Sequence, residues 1–255
     1  MGLIIGENKM KNLKESNILD LLNDVGFTKH VGGLKATKEL INLCDIGKGK
    51  YVLDVGCGVG ITPCYIAKKH DCKVVGIDIL EKMVDSSKKR AEREGIAERV
   101  EFRLADAQNL PFEDDFFDVV ISEDAIAIME DKKGVISECV RVTKKGGYVG
   151  LCSMSWIKAS PPELVEDLSF FGDIPTFDGW QDLLKDSGLR DVIGKIYKVT
   201  ALSEIIEQSR WLGFKDFLKG WYKFLSANRR FIKESSPAAR DITNYLGCGI
   251  YVGKK

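Results

Sequence analysis

The stretch YVLDVGCGVG, residues 51–60, decides how this chain is read. Tyr51 to Val55 is a short apolar run, and it ends in Gly56-Cys57-Gly58-Val59-Gly60. A run of that length bounded by glycine reads as a buried strand. Pro63 follows, and a helix tolerates proline only in its first turn, so a helix is expected over about residues 60–70. Strand, bare loop and helix start therefore follow one another without a spacer. Glycine permits positive φ and lets a ligand approach the backbone closely. A helix start offers free N–H groups and a partial positive charge. The loop thus reads as the floor of a small-molecule site, with a tight turn of no functional meaning as the plainer reading.

The alternation continues outward. Further strands are expected at 72–78, 99–106, 117–124 and 146–155, with helices at 80–95, stopped by Gly95, and at 131–145. Near-continuous apolar strands alternating with helices imply a parallel sheet covered on both faces, with right-handed crossovers. Upstream, helices are expected at 11–25 and 34–44, broken by Gly32-Gly33. After residue 155 the rhythm changes to an aromatic-rich irregular stretch, a helix at 179–188, a strand at 189–200, amphipathic helices over 202–232 and a final strand at 248–254. We expect one domain over 1–255. It comprises N-terminal helices (1–48), a ligand-binding core (49–155), a cap from 156–178 and 202–244 over the sheet's C-terminal edge, and the closing strand.

Lys+Arg and Asp+Glu both number 38 in 255 residues, so no global basic field points to nucleic acid or an anionic membrane. The paired lysines, such as Lys132-Lys133 and Lys144-Lys145, read as solvated helix ends. The seven cysteines form no CxxC pair, and His30 and His70 do not stand at zinc-finger spacing from them. No metal is expected, and free thiols suggest a reducing, cytoplasmic location. The opening MGLIIGENKMKNLK places its apolar run before its lysines, the reverse of a signal peptide, and no run approaches the ~20 apolar residues of a membrane span.

In an open α/β sheet, ligands bind at the carboxyl ends of the strands where strand order reverses. Three acids are expected there. Asp78 ends the second strand and can accept two hydrogen bonds from a ribose diol, with Ile79 and Met83 placed to pack on a base. Asp106 ends the third strand beside Ala107. Asp54 lies inside the first strand, where a buried charge needs a partner; it is expected to brace the glycine loop. Each acid singly could be a turn or cap residue. A dinucleotide loop requires G-x-G-x-x-G, and Ile61 stands where its third glycine belongs.

VLDVGCGVG, VVGIDIL, ADAQNLPFEDDFFDVVIS and RVTKKGGYVGL resemble the successive motifs of the class I S-adenosylmethionine-dependent methyltransferases, specifically the small-molecule group that includes ubiquinone/menaquinone-biosynthesis-like enzymes (methyltransferase type 11). The resemblance covers about residues 30–155 and resumes at TFDGWQDLLKDSGLRDV and GIYVGKK. It implies a Rossmann-like, seven-stranded mixed sheet of order 3-2-1-4-5-7-6, with strand seven antiparallel. It implies that Gly56, Cys57 and Gly58 lie against the methionine part of S-adenosylmethionine, that Asp78 holds the ribose with Ile79 and Met83 flanking adenine, that Asp106 and Ala107 meet the adenine edge, and that Glu123 sits near the transferred methyl. Members often carry a histidine after strand four; SEDAIAIMED has none.

Glu123 is the candidate substrate-facing acid or base, with a local capping role as its alternative, and no residue is assigned as catalytic. Trp156, Trp221 and Tyr222 are candidates for an apolar acceptor pocket, or for ordinary core packing. Three functions stay open: methyl transfer to a small molecule, an NAD-type oxidoreductase, and a non-catalytic adenosyl-ligand module. Nucleic-acid methylation is disfavoured by the neutral charge and by SEDA in place of an Asn/Asp-Pro-Pro-Tyr-like motif. The acceptor and the oligomeric state are not legible.

Overall fold

The computed structural model describes residues 30–168, 173–198 and 242–255. In chain order the elements are α1 (Gly33–Leu43), β1 (Tyr51–Val55), α2 (Ile61–His70), β2 (Lys73–Asp78), α3 (Glu81–Arg93), β3 (Val100–Leu104), β4 (Phe117–Glu123), α4 (Lys132–Val142), β5 (Thr143–Trp156), α5 (Pro162–Asp167), α6 (Phe177–Asp186), β6 (Arg190–Lys198) and β7 (Leu246–Lys254). The helices expected at 11–25 and 202–232 lie outside the described residues, as do Trp221 and Tyr222.

The strands form one seven-stranded sheet of order β3-β2-β1-β4-β5-β7-β6, as expected. β1 to β5 pair in parallel, and β7 runs antiparallel to both β5 and β6. Val52 of β1 faces Val74 of β2 on one side and Val119 of β4 on the other. Strand order reverses between β1 and β4, which puts the switch point at the loop after β1.

The two-residue alternation of β1 divides the core into two layers. Val52 packs with Leu40, Ile41, Ile66 and Val84 of α1, α2 and α3, whereas Leu53 and Val55 pack with Val135, Ile136, Trp180 and Leu184 of α4 and α6. Trp180 is fully buried, and its Nε1–H donates to the Met154 carbonyl at 3.0 Å.

Several boundaries differ from expectation for local reasons, and β3 stops at Leu104, so Asp106 lies in the turn after that strand and not at its end. The helix predicted to reach residue 145 stops at Val142, because Thr143 already pairs with Phe117 and an irregularity in the ladder absorbs the residues before Tyr148. Lys144 is then a strand residue whose Nζ meets Asp118 Oδ1 at 2.9 Å, not a solvated helix end. Lys132 is buried as well, its Nζ donating to the Met129 carbonyl at 2.8 Å. Helix α6 begins earlier than predicted, at Phe177, because Thr176 caps it by accepting the Gly179 N–H at 3.0 Å.

Candidate functional site

The loop after β1 answers why its glycines are there. Gly56 has φ +78°, and a Cβ on it would lie 2.2 Å from the Ala125 Cβ in the loop after β4. Gly58 has φ +53°, but a Cβ there would meet nothing within 4 Å. The first glycine lets two loops of the protein touch, and the second presents bare backbone to open space.

Asp78, at the end of β2, ties this loop down. Its Oδ2 accepts the Gly58 N–H at 2.9 Å and its Oδ1 accepts the Leu80 N–H at 3.0 Å. Burial raises its pKa, and these two N–H donors oppose the rise. A carboxylate oxygen has two lone pairs, so both oxygens keep acceptor capacity for a diol. Helix α3 adds two further ties: Ser87 Oγ donates to the Gly58 carbonyl at 2.8 Å, and Arg90 Nε to the Val59 carbonyl at 2.9 Å. The bracing expected of Asp54 is thus supplied by Asp78, Ser87 and Arg90. Asp54 is buried, 2% exposed, and its pKa is pushed well up by burial first and then by the charges of Glu123 and Asp78. Cys57 is buried beside it, and its thiol is pushed up by burial and by the same Asp54 and Asp78 charges.

Around the loop, Ile79 is 46% exposed, whereas Met83 packs with Val59 and Ile61. Asp106 is exposed and accepts the Gln108 N–H at 2.9 Å through Oδ1, a turn-forming bond; Ala107 beside it is buried.

Glu123 ends β4 with its side chain 6% exposed. Thr37 Oγ1 from α1 donates to its Oε1 at 2.7 Å, and Thr62 Oγ1 from the first turn of α2 donates to its Oε2 at 2.5 Å. His30 Nε2 lies 3.8 Å from Oε2 and 3.3 Å from the Thr37 hydroxyl. The post-β4 loop has no histidine of its own, but the segment before α1 brings one to the end of that strand. Asp124 follows in the left-handed region, φ +57°. Its carboxylate accepts the Val31 N–H at 2.6 Å and the Met154 N–H at 2.8 Å, and burial pushes its pKa up to about 6. Asp124 therefore fastens the His30 segment to β4 and β5.

Sequence reasoning missed His30, Thr37, Thr62 and Ser87. Two signals were present. Thr37 interrupts the buried face Gly33-Ala36-Leu40-Ile41 of α1, and Ser87 interrupts Met83-Val84-Ala91 of α3. A hydroxyl on an apolar stripe needs a partner. Trp156 lines a groove of about 470 Å³ with Ile157, Ser160, Thr176 and Phe177. It lies four residues, roughly 13 Å of strand, beyond Cys152, the residue paired with Glu123.

The methyltransferase-domain family model matches residues 53–151, which span β1 through β5 and every loop just described. Phosphoethanolamine N-methyltransferase 1 of Arabidopsis thaliana is 35% identical over 172 residues, 67% of this chain and 34% of that protein. The chain thus spans about a third of the length of these plant relatives. An uncharacterized protein of Haemophilus influenzae is 32% identical over 178 residues, 68% of this chain and 71% of that protein. A Haemonchus contortus phosphoethanolamine N-methyltransferase 2, solved in complex with S-adenosyl-L-methionine, superposes with a TM-score of 0.77 at 18% identity, over 100% of this chain and 60% of that one. With a bare glycine turn at the sheet's switch point, Asp54 inside β1 and acids at the ends of β2 and β4, the chain belongs to the class I S-adenosylmethionine-dependent methyltransferases.

Proposed function

We propose that this protein transfers a methyl group from S-adenosylmethionine to a small-molecule acceptor, leaving S-adenosylhomocysteine. One observation carries the reading: Asp78 holds the bare Gly58 turn at the sheet's switch point, and the adjacent strands β1 and β4 bring the carboxyl groups of Asp54 and Glu123 to the same edge. A donor with a sulfonium and an ammonium group is welcomed by such a field. The pyrophosphate of a dinucleotide is repelled by it, which counts against the NAD-type reading together with Ile61.

The cofactor supplies an already activated methyl group, open to in-line displacement. What this chain supplies is position and water exclusion. Gly58 lets an amino-acid tail lie against the main chain. Asp78, fixed by two backbone N–H groups, presents its remaining lone pairs toward a ribose diol. Glu123, held by two threonine hydroxyls at the end of β4 beside β1, has its orientation set. It can orient an acceptor or take a proton if the acceptor must lose one. Ile79 offers exposed apolar surface for an adenine face.

The relatives named for phosphoethanolamine suggest a small polar acceptor as a first trial. The balanced charge of 38 basic and 38 acidic residues favours no nucleic-acid substrate. All seven cysteines are free thiols, which supports a reducing, cytoplasmic setting. Among the described residues, no helix is long and apolar enough to cross a membrane. The test is calorimetry with S-adenosylhomocysteine and with NADH, followed by methyl release from labelled cofactor with mixed small acceptors. Heat with the first alone, and acceptor-dependent release, are expected. Heat with NADH alone overturns the reading, and binding without transfer to any acceptor favours the non-catalytic module.

A further inference from the structure

The end of β4 carries a further set of donor atoms, of which the methyl-transfer reading uses only Glu123. A ring nitrogen of His30, a Glu123 carboxylate oxygen and Cys152 Sγ all lie within 4.8 Å of one another. Cys152 Sγ is 3.5 Å from Cys248 Sγ on the neighbouring strand β7. Both cysteines are fully buried, and both thiols point at one acceptor, the Val31 carbonyl, at 3.6 Å from Cys152 and 3.0 Å from Cys248. An imidazole, a carboxylate and a thiol therefore converge from three separate segments, the residues before α1, β4 and β5, and the Cys248 thiol of β7 stands against the Cys152 sulfur at the side of that group.

We propose that His30, Glu123 and Cys152 form a binding site for a thiophilic divalent cation, with Zn²⁺ as the fitting ion and the adjacent Cys248 thiol as its fourth donor. The donor set decides the class. Sulfur and imidazole donors select zinc-like ions over Mg²⁺ and Ca²⁺, which take oxygen. The spacing agrees with it. Zinc bonds of about 2.0–2.3 Å in a tetrahedron give ligand–ligand edges of roughly 3.3–3.8 Å. The Cys152–Cys248 sulfur separation of 3.5 Å and the His30–Glu123 separation of 3.8 Å already stand near such edges. The alternative use of a thiol pair, a disulfide, fits less well. Cys152 pairs with Ile250 and Cys248 with Met154, so the two cysteines are diagonal neighbours. Diagonal positions stand about 7–8 Å apart at the backbone, beyond the usual reach of a disulfide.

Binding requires both thiols to lose their protons to solvent, and His30 to present a neutral Nε2 lone pair. Two thiolates and the Glu123 carboxylate against a dication leave a single negative charge on the centre. The threonine bonds to Glu123 need not break, since each carboxylate oxygen keeps a second lone pair. Such an ion closes the His30–Gly32 segment onto β4, β5 and β7, where Asp124 already fastens it through Val31. The sequence shows no metal motif because its donors lie 93, 29 and 96 residues apart along the chain.

The test is independent of the methyltransferase reading. The full chain, stripped of metal and kept reduced, is titrated with Cd²⁺, and the thiolate-to-cadmium charge-transfer absorption is followed in the ultraviolet. One equivalent is expected to saturate the band, Zn²⁺ to displace it, and unfolding temperature to rise with either ion. Cys248→Ser and Cys152→Ser are expected to lower affinity by at least about 10- to 100-fold, while Cys72→Ser leaves it unchanged. His30→Ala, which removes no sulfur, is expected to weaken binding while keeping a reduced band. The absence of a band in the wild-type chain overturns the proposal whatever the variants do. An unchanged band in a folded Cys152→Ser/Cys248→Ser double variant overturns it equally.

Discussion

At the scale of single residues, two glycines two positions apart do opposite work. Both lie at positive φ, where a side chain costs about 1–2 kcal/mol. At Gly56 a methyl group also strikes Ala125 at 2.2 Å, so Gly56→Ala is expected to cost about 3 kcal/mol or more of fold stability. At Gly58 a methyl group meets no protein atom, so Gly58→Ala is expected to cost only the backbone strain, yet to lower affinity for S-adenosylhomocysteine by about tenfold or more by filling ligand space. Urea unfolding and calorimetry on the two variants separate the effects; equal affinity in Gly58→Ala and wild type removes the ligand from that turn. Asp78 has a double role, since it holds Gly58 and also offers its free lone pairs. Asp78→Asn keeps one acceptor for an N–H but loses the charge, and it is expected to weaken ligand binding by about 10- to 100-fold with a smaller loss of stability. A stability loss with affinity intact assigns Asp78 to the loop alone.

Between elements, long loops are held by charged forks. Arg141 of α4 spans the loop that leads into β4: its guanidinium donates to the Leu110 and Phe112 carbonyls at 3.0 and 2.8 Å, and to Glu138 and Asp114. Glu138 in turn accepts the Leu110 N–H at 2.9 Å. Arg141→Lys keeps the charge but not the fork, and is expected to cost about 1–3 kcal/mol in urea unfolding at neutral pH. The Arg141 hydrogen bond holds the Glu138 carboxyl below its ordinary value. Its folded pKa is depressed, so the contribution is complete above the unfolded value of about 4.3 and is lost as pH falls through the folded value. The penalty of Glu138→Gln is therefore expected to be full at pH 7 and to shrink in acid; a penalty independent of pH removes the ion pair from the account. This scale also marks where the sequence stopped being legible. β1, β2 and the glycine turn were readable because their signals are local: apolar runs, glycine spacing and an acid at a strand end. The cradle of Glu123 was not, because Thr37 and Thr62 reach it across 86 and 61 residues. Helix α4 was drawn too long because Lys144-Lys145 suit a helix end, and only the pairing of Thr143 with Phe117 shows that the strand begins there.

Across the whole molecule, the parallel strands and the β7–β6 pair meet at β5, and the order reversal at β1 and β4 opens the sheet edge where the site lies. In the proposed methyl transfer the ligand-binding groups come from the loop after β1 and the ends of β2 and β4, so no one element carries the site. A ligand that touches all of them binds the folded chain and not the unfolded one, and its binding energy adds to global stability. At a concentration of 100 times its dissociation constant, S-adenosylhomocysteine is expected to add about 2.7 kcal/mol. For a chain of this size each kcal/mol raises the unfolding midpoint by about 2–4 °C, so a shift of roughly 5–11 °C is expected. NADH at the same concentration is expected to give none, because Ile61 stands where the third glycine of a dinucleotide loop belongs. Asp78→Asn is expected to reduce the shift at fixed ligand concentration, since weaker binding enters the same relation. A full shift with NADH, or one with S-adenosylhomocysteine that survives both Gly58→Ala and Asp78→Asn, moves the ligand away from the β1–β2 edge and breaks the link between the sheet's reversal point and cofactor binding.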